Sequence, residues 1–322
     1  YLVQEPPLGR VHGLHYRRGN VVASGRTATS RAAHSRARGT THVCHPPKLF
    51  SCIAKIKIMR PEFVVAIPSY DRPKELRKKT LAMLLENGIP PAVTTVFVAD
   101  AAQRTLYAAE IGPEYKIVVG KKGMVNIRNF ITQYYPAKTR ILNIDDDVSR
   151  IIKGEPTGMT ARPVRNLVAL ANEGFRLCKA NGFALWGLHP STNRRSLKSA
   201  NTVTTDFKYI VGALYGVIND RSLKVSIDHA EDYERSIQYY IKYGGMVRFN
   251  RYSALTAFYA KGGLEAAGRT VAKEDADKKA LVRRYPRYAT TYVRPNGRTE
   301  IRLKDENAPP RSRSRRKSSR RK

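Results

Sequence analysis

The sequence has few of the features that mark secreted or membrane-spanning proteins. Only three cysteines occur in 322 residues, and Cys178 is far along the chain from Cys44 and Cys52. This pattern excludes a disulfide framework and favours a reducing compartment. No apolar run reaches the roughly 18 residues that a membrane span needs, and no signal-peptide pattern precedes the first apolar strand. We therefore expect a soluble, intracellular protein with no membrane partner and no obligate protein partner.

Acidic residues are also scarce. The chain has 26 Asp and Glu against 59 Lys and Arg, which gives a net charge of +33. Residues 1–60 contribute +10 and residues 311–322 contribute +8, so residues 61–310 alone have a charge of +15. A field of this sign attracts polyanions, with nucleic acid as the first expectation and an anionic membrane surface as the second.

Both ends of the chain have the composition of disordered segments. Residues 1–60 are rich in Arg, Ser, Thr, His and Gly and show little periodicity, and residues 311–322 read RSRSRRKSSRRK. The tail is an electrostatic arm or a nuclear-import signal, so the nucleus is one expected location. A group of metal-binding residue types in the first segment has a spacing that matches no ordinary zinc finger, and accidental clustering is favoured. Its members are His42, Cys44, His45 and Cys52.

From residue 62 onward, strand-like and helix-like segments alternate. The predicted strands are 63–69, 94–100, 115–120, 140–145, 183–188, 208–218 and 246–252; the predicted helices are 72–88, 124–135, 162–182 and 229–245. Such alternation predicts an α/β fold whose mainly parallel, mixed sheet is covered by helices on both faces. We expect a catalytic domain over 61–255. A C-terminal extension over 256–310 would contain a helix at 273–286 and a hairpin at 290–303. We expect it on the side of the site that receives an acceptor.

The glycine motifs that cradle phosphates are absent. No GxGxxG follows the first strand, and no GxxxxGK[ST] occurs anywhere. Candidate ligand-binding residues nevertheless lie at the ends of several predicted strands, where the ligands of open α/β sheets bind. They are Pro68, Ser69, Tyr70 and Asp71 after the first strand, Asp100 after the second, and Asp145, Asp146 and Asp147 after the fourth. A nucleotide bound there would need another group to neutralise its phosphates.

The three consecutive carboxylates of 145–147 are the strongest chemical signal. A solvated acidic turn or a helix cap would explain two of them. Three together repel one another unless a cation binds. Oxygen ligands suit Mg²⁺ or Mn²⁺ bridging to a diphosphate. Along a strand, Asp145 and Asp147 point to the same side, so that one can hold a metal and the other can reach a ribose or the same metal.

Two further groups have both a functional and a structural interpretation. The acidic segment 228–232 opens a predicted helix, so simple capping explains it in part, whereas the functional interpretation is a general base that accepts a proton from a hydroxyl. Lys121, Lys122 and Arg128 lie between the third and fourth strands. They are either surface charge or contacts to a donor nucleotide.

The ordered set FVVAIPSYDRP, VFVAD, KGMVNIRN, ILNIDDDV and the AED at 230–232 resembles glycosyltransferases of the A-type fold (GT-A, the nucleotide-diphospho-sugar transferase fold). The chain most resembles the TET/JBP-associated glycosyltransferases over roughly residues 62–260. The resemblance implies a UDP-sugar donor, with glucose expected as the sugar, and Mn²⁺ or Mg²⁺. It also implies an acceptor in DNA that contains hydroxymethylated pyrimidines, and a viral replication compartment as an alternative location.

The resemblance also implies roles for individual residues. Pro68, Ser69, Tyr70 and Asp71 would form the first nucleotide loop, and Asp100 would contact the base or ribose. Asp145 and Asp147 would serve metal and donor, with Asp147 the more direct ligand. Lys122, Arg128 and Asp146 would lie on the donor side. Asp232 would be the base of an inverting reaction, and Glu231 an acceptor or sugar contact. No histidine follows His229, so water and phosphate oxygens would complete the metal's coordination.

Two other functions stay open at this stage. The chain could be a cytosolic glycosyltransferase that acts on a glycan, lipid or protein. It could also be a basic nucleic-acid-binding protein with a degenerate, non-catalytic transferase core. Salt-sensitive binding of plain duplex DNA would argue against the first, and binding of UDP in the presence of Mn²⁺ would argue against the second.

Overall fold

An eight-stranded sheet forms the centre of the described chain. The structure, a computed structural model, describes residues 60–256 and 270–304. The sheet strands are β1 (Val64–Pro68), β2 (Thr94–Val98), β3 (Lys116–Val119), β4 (Arg140–Ile144), β7 (Leu185–Leu188), β8 (Val203–Thr204), β9 (Leu214–Ile218) and β10 (Val247–Phe249). Their order across the sheet is β3-β2-β1-β4-β9-β7-β10-β8. Two smaller sheets are formed by β5 (Arg150–Gly154), β6 (Ala161–Pro163) and β11 (Tyr252–Leu255), and by β12 (Ala289–Val293) and β13 (Thr299–Leu303).

The direction of the strands confirms the predicted α/β class. β1, β2, β3, β4, β7 and β10 run in one direction, whereas β8 and β9 run against their neighbours. The carboxyl ends of β1 to β4 therefore meet at one edge of the sheet. Because β9 is antiparallel to β4, with Leu214 opposite Ile144, the segment that enters β9 lies at that same edge.

Helices cover both faces, as the sequence predicts. They are α1 (Pro73–Leu76), α2 (Ala82–Glu86), α3 (Ala101–Ile111), α4 (Met124–Tyr134), α5 (Leu167–Asn181), α6 (Glu231–Tyr243) and α7 (Val271–Arg284). One buried cluster joins α1, α2, α3 and α5 to one face through residues such as Leu76, Tyr107 and Phe175. A second joins α4, α6 and α7 to the other face through residues such as Ile131, Ile237 and Leu281.

Several element boundaries differ from the prediction. The predicted strand 208–218 is shorter, since β9 begins at Leu214. The predicted helix 162–182 begins only at Leu167, where Asn166 accepts a capping hydrogen bond from Ala169, and β6 precedes it. Helix α3 was missed altogether. Only two of its residues, Tyr107 and Ile111, are buried, so its apolar periodicity is too weak to read.

The C-terminal helix and hairpin are confirmed as α7 and as β12 paired with β13. The division into a catalytic domain and an extension stays a prediction. The predicted basic segment 1–60, its His and Cys cluster and the tail 311–322 lie outside the described residues, apart from Arg60. None of the described helices combines the length and the apolar character needed to cross a bilayer.

Candidate active site

The sheet edge formed by the ends of β1 to β4 brings most of the predicted site residues together. Ser69 follows β1 directly, and its backbone N–H donates to the carbonyl of Phe97 in β2 at 2.9 Å. Its buried hydroxyl donates to Oδ2 of Asp146 at 2.6 Å and lies 2.6 Å from the hydroxyl of Tyr107. Arg72 lies 3.5 Å from Asp146 and 3.5 Å from Asp147. The first-strand loop and the acidic turn are therefore directly bonded.

Burial and hydrogen bonding have opposing effects on the pKa of Asp146. Burial raises the pKa of Asp146 to about 7, although the hydrogen bond from Ser69 and the charge of Arg72 oppose that shift. A carboxyl group that is buried and already bonded on both oxygens is poorly placed to contact a donor directly. Its position instead fixes the turn against the loop after β1.

The acidic triplet lies in a turn rather than on a strand. β4 ends at Ile144, and the N–H of Asp145 makes one more bond to Ala213 at 3.0 Å. The prediction that strand geometry would align Asp145 and Asp147 is therefore wrong, because the backbone has already turned. Thr80 holds the turn: its Oγ1 donates to the carbonyl of Asp145 at 2.8 Å and accepts from the N–H of Val148 at 3.0 Å. Thr80 lies in the π-helical segment Arg77–Leu81, a type of distortion that often occurs at functional sites.

A second group of predicted residues surrounds the start of α3. Asp100 caps this helix by accepting from the N–H of Gln103 at 2.9 Å, and the side-chain oxygen of Gln103 accepts from the N–H of Asp71 at 2.9 Å. Asp71 has a positive φ of 56°, a conformation that aspartate tolerates better than most residues. The Lys122 ammonium lies 5.0 Å from the centroid of the Tyr70 ring. A hydrogen bond with Tyr70 raises the pKa of Lys122.

Arg128 connects the acidic turn to the start of α6. It is only 5% exposed. Its Nη2 donates to Oδ1 of Asp145 at 2.6 Å, and its Nε lies 3.5 Å from Oε1 of Glu231. Arg235, one helical turn beyond Glu231, donates to the other oxygen of Glu231 at 2.5 Å. Glu231 is thus held between two buried guanidinium groups. The Arg128 side chain links the acidic turn at 145–147 to the acidic segment at the start of α6.

Asp232 has a different environment from the other carboxylates. Its Oδ2 accepts from the Tyr209 hydroxyl at 2.5 Å and from the Gly212 N–H at 3.3 Å, and its Oδ1 accepts from the Tyr233 N–H at 2.9 Å. Burial and the neighbouring charge of Glu231 raise the pKa of Asp232 to about 6, against the effect of Arg235 and these donors. Such a carboxylate is ionised near neutral pH and is basic enough to accept a proton.

The segment before Asp232 is anchored on both sides. Asp228 accepts from the N–H of Val125 in the first turn of α4, at 2.9 Å. It therefore bonds to a different helix from the one that the capping interpretation assigned to it, and among the described residues α6 begins without a side-chain cap. The backbone N–H of His229 donates to Asp277 of α7 at 3.1 Å, and its Nδ1 lies 2.7 Å from the same oxygen. The last histidine of the chain therefore supports the loop through α7.

The residues at the acidic turn fit a hard divalent cation through oxygen atoms. Within the described residues, no group of three or more His, Cys, Asp or Glu side chains is arranged to hold a metal. Asp145, however, is about one-third exposed and bonds Arg128 through Oδ1 only, which leaves Oδ2 for another ligand. Burial raises the pKa of Asp145, and the charge of Asp147 adds to that shift. The open oxygen of Asp145, with the charge of Asp147 nearby, suits an ion that takes its remaining ligands from water and phosphate.

A small polar cavity lies behind this site, between α4, α6 and the sheet. Its volume is about 30 Å³, enough for about two water molecules. Arg128 and Arg235 line it on either side of Tyr215, whose ring centroid lies 5.5 Å and 3.6 Å from the two guanidinium carbons. In the part of the chain that the structure describes, Nη1 of Arg128 and Nη2 of Arg235 have no hydrogen-bond partner. Ordered water in the cavity would satisfy them.

Sequence reasoning missed the residues that hold the predicted ones in place. They are Arg72, Tyr107, Tyr209, Arg235 and Asp277. Arg235 had a readable signal, because it follows Glu231 at the helical i,i+4 spacing. Tyr209 and Asp277 had none, since each reaches its partner through the tertiary fold.

No family model matches the chain, and no curated protein matches it. Among solved structures, the chain is similar to a mannosyltransferase, PcManGT, from Pyrobaculum calidifontis in complex with GDP-Man and Mn²⁺ (16% identity, 70% of this chain, 65% of that chain, TM-score 0.46). It is also similar to residues 1–349 of TarS from S. aureus (14% identity, 60% and 59% coverage, TM-score 0.40). A third is glucosyl-3-phosphoglycerate synthase from Mycobacterium tuberculosis in complex with Mn²⁺, UDP and glucosyl-3-phosphoglycerate (10% identity, 76% and 88% coverage, TM-score 0.39).

The chain spans less than two thirds of the length of the first two of these structures, 65% and 59%. At 10–16% identity, the likeness concerns the arrangement of strands and helices. The chemistry of the site has to be argued from its own residues.

Proposed function

We propose that the chain is a metal-dependent glycosyltransferase of the GT-A type. It would move a sugar, with glucose as the first expectation, from a UDP-sugar to a hydroxyl group of a hydroxymethylated pyrimidine in DNA. The observation that supports this best is the chain of contacts from Asp145 through Arg128 to Glu231. It joins an acidic turn suited to a metal and diphosphate with Glu231, whose neighbour Asp232 is a partly buried carboxylate suited to accept a proton.

Each half of the site has a distinct task in this proposal. Asp145 and Asp147 would hold Mg²⁺ or Mn²⁺ together with water and the diphosphate oxygens of the donor. When bound, such an ion neutralises the diphosphate and stabilises the charge of the departing nucleotide. Ser69, Tyr70, Asp71, Asp100 and Lys122 would line the donor side, where Lys122 adds a positive charge beside Tyr70.

The transfer step uses Asp232 as general base. The acceptor oxygen attacks the anomeric carbon while the bond from that carbon to the diphosphate oxygen breaks. The hydroxyl proton moves to Oδ1 or Oδ2 of Asp232, and UDP leaves with the bonding electron pair. Attack from the face opposite the leaving group inverts the anomeric configuration. The ion pairs of Glu231 with Arg128 and Arg235 hold the start of α6 and thus the position of Asp232.

The charge of the chain supports a nucleic-acid acceptor. The segment 61–310 has a charge of +15, and the β12–β13 hairpin has three arginines and one acid over residues 289–303. Phosphate groups are the commonest partners of such surfaces. A base within a duplex would have to leave the stack to reach Asp232.

A direct test is to incubate the purified protein with Mn²⁺, a panel of UDP-sugars and DNA that contains 5-hydroxymethylcytosine or 5-hydroxymethyluracil. Digested nucleosides are then analysed by mass spectrometry. The proposal predicts a hexose added to the modified nucleoside, and no addition with the Asp232→Asn variant or with unmodified DNA. Transfer to glycan, lipid or protein acceptors but not to DNA would place the chain among cytosolic glycosyltransferases. Failure to bind UDP with Mn²⁺ would favour a non-catalytic DNA-binding protein.

A further inference from the structure

An aromatic pair lies directly beside the proposed base. The rings of Tyr209 and Tyr233 stack with centroids 4.0 Å apart and an interplanar angle of 11°. The Tyr209 hydroxyl is bonded to Asp232, and the Tyr233 N–H is bonded to the same carboxylate. Any hydroxyl group that gives a proton to Asp232 must therefore approach next to these two rings.

The C-terminal hairpin has exposed apolar and aromatic side chains. Tyr292 in β12 is 37% exposed, and the neighbouring Val293 is 68% exposed. The guanidinium carbon of Arg302 in β13 lies 4.8 Å from the centroid of the Tyr292 ring. Exposed apolar and aromatic groups of this kind mark interaction sites when they occur together.

The hairpin and Tyr233 pack against the same hydrophobic cluster, to which the hairpin contributes Ala289 and Ile301. Burial and the charge of Asp232 raise the pKa of Tyr233, and Glu300, Tyr292 and Arg294 of the hairpin also act on it. Arg294 and Glu300 form an ion pair at 3.3 Å. The hairpin therefore brings one exposed ring and several polar groups to the acceptor side of Asp232.

These groups fit a planar ring attached to a polyanion. Aromatic faces stack on nucleobases whatever their sequence, and arginine adds both charge and a planar guanidinium. A neutral sugar acceptor would gain little from the positive charge of the hairpin and of the surrounding chain, and a lipid acceptor has no planar ring to stack on the aromatic faces. Charge and stacking together thus favour a nucleic-acid strand over either alternative.

We propose that Tyr209, Tyr233 and Tyr292 form an acceptor ledge that stacks an unpaired nucleobase beside Asp232. This inference rests on the proposed function and assigns the substrate class of the acceptor half of that site. Tyr292 supplies the exposed outer face, and Arg302 and Arg294 contact the flanking phosphates. The Tyr209–Tyr233 stack forms the inner wall and also orients the carboxylate.

The test compares binding of two single-stranded ligands of equal length and charge, oligodeoxythymidylate and a wholly abasic backbone, at one fixed salt concentration. The full-length wild-type protein should bind the oligonucleotide with bases about 10-fold more tightly, because stacking on an aromatic side chain adds to phosphate attraction. Tyr292→Ala and Tyr233→Leu should remove most of this preference while leaving affinity for the abasic backbone unchanged. Tyr134→Leu removes a partly exposed tyrosine from α4 and should keep the preference.

Two controls separate this inference from the proposed function. Thermal unfolding reports whether each variant is folded, and Tyr292 is exposed enough that its replacement should leave the fold intact. Calorimetry of UDP with Mn²⁺ reports the donor half. If wild-type protein binds UDP and the Tyr292→Ala variant keeps the full preference for bases, the ledge is wrong although the transferase proposal stands. If wild-type protein prefers bases but never binds UDP, the ledge stands and the transferase proposal fails.

Discussion

The donor half and the acceptor half of the candidate site hold their carboxylates in different ways. On the donor side, Asp145 pairs with Arg128, and Asp146 and Asp147 share Arg72. On the acceptor side, the hydrogen bonds that Asp232 accepts from the described residues come from neutral donors, namely the Tyr209 hydroxyl and two backbone N–H groups. Its neighbour Glu231 forms ion pairs with Arg128 and Arg235 instead.

This difference separates two kinds of chemistry. Asp145, Asp146 and Asp147 each contact an arginine, which suits groups that hold cations and phosphates in place. Asp232 is partly buried and bonded by neutral donors, and its pKa of about 6 allows it to take up a proton and release it later. The structure thus favours Asp232 over Glu231 as the base, because Glu231 is committed to its ion pairs.

The largest effect is expected from Asp232→Asn. The amide has nearly the same size and can keep two of the three hydrogen bonds, but it cannot accept the proton. We expect the transfer rate to fall by about 10²- to 10⁴-fold, whereas binding of UDP with Mn²⁺ stays near the wild-type value. A variant that retained more than a tenth of the wild-type rate would break the assignment of the base.

Arg128→Gln tests the side chain that joins the two halves. The change leaves Asp145 and Glu231 without their shared cation in a buried region, and such losses typically reduce the free energy of unfolding by about 3–5 kcal/mol. Chemical denaturation measures it. The matched control is Arg176→Gln, which breaks an exposed pair with Glu173 and should change stability little. Equal effects of the two changes would show that Arg128 is not a structural link.

Tyr209→Phe sharpens the contrast by removing one neutral donor while keeping the stack with Tyr233. Burial raises the pKa of Asp232 and the hydrogen bond from Tyr209 lowers it, and the balance of all effects gives a pKa of about 6. Without that bond the pKa rises, so more of the base is protonated just below neutral pH. We expect the acid limb of the pH–rate profile to move to higher pH, with an extra loss of about threefold or more at pH 6 relative to pH 8. An unshifted acid limb would remove Tyr209 from the account.

The smallest effect is expected from Asp277→Asn in α7. It weakens the support of His229, which takes no direct part in the proposed transfer, while leaving a side chain of the same size. We expect the transfer rate to fall by about three- to tenfold with an unchanged KM for the donor. Asp275→Asn removes the same charge from the same helix and serves as control. A rise in the donor KM, or equal losses in both variants, would contradict a positioning role.

The two halves also differ in how far the sequence predicts them. The donor half could be read because each group directly follows a strand whose apolar run is visible, as Asp100 follows β2 and Asp145 follows β4. The turn geometry at 145–147 could not be read, since it depends on Thr80 from another segment. In the acceptor half, Glu231 and Asp232 were readable from their place at a helix start. Their partners were not, because Tyr209 and Asp277 lie 23 and 48 residues away from the groups they bond.

The most direct measurement for the central claim is calorimetric titration of UDP into the protein with and without Mn²⁺, in the wild type and in Asp147→Ala. Because the acidic turn is held to be the metal and diphosphate site, UDP should bind the wild type only in the presence of Mn²⁺. The Asp147→Ala variant, checked for folding by circular dichroism, should lose that metal-dependent binding, whereas Asp232→Asn should keep it. Equal binding of UDP with and without the metal, or unchanged binding by Asp147→Ala, would contradict the account.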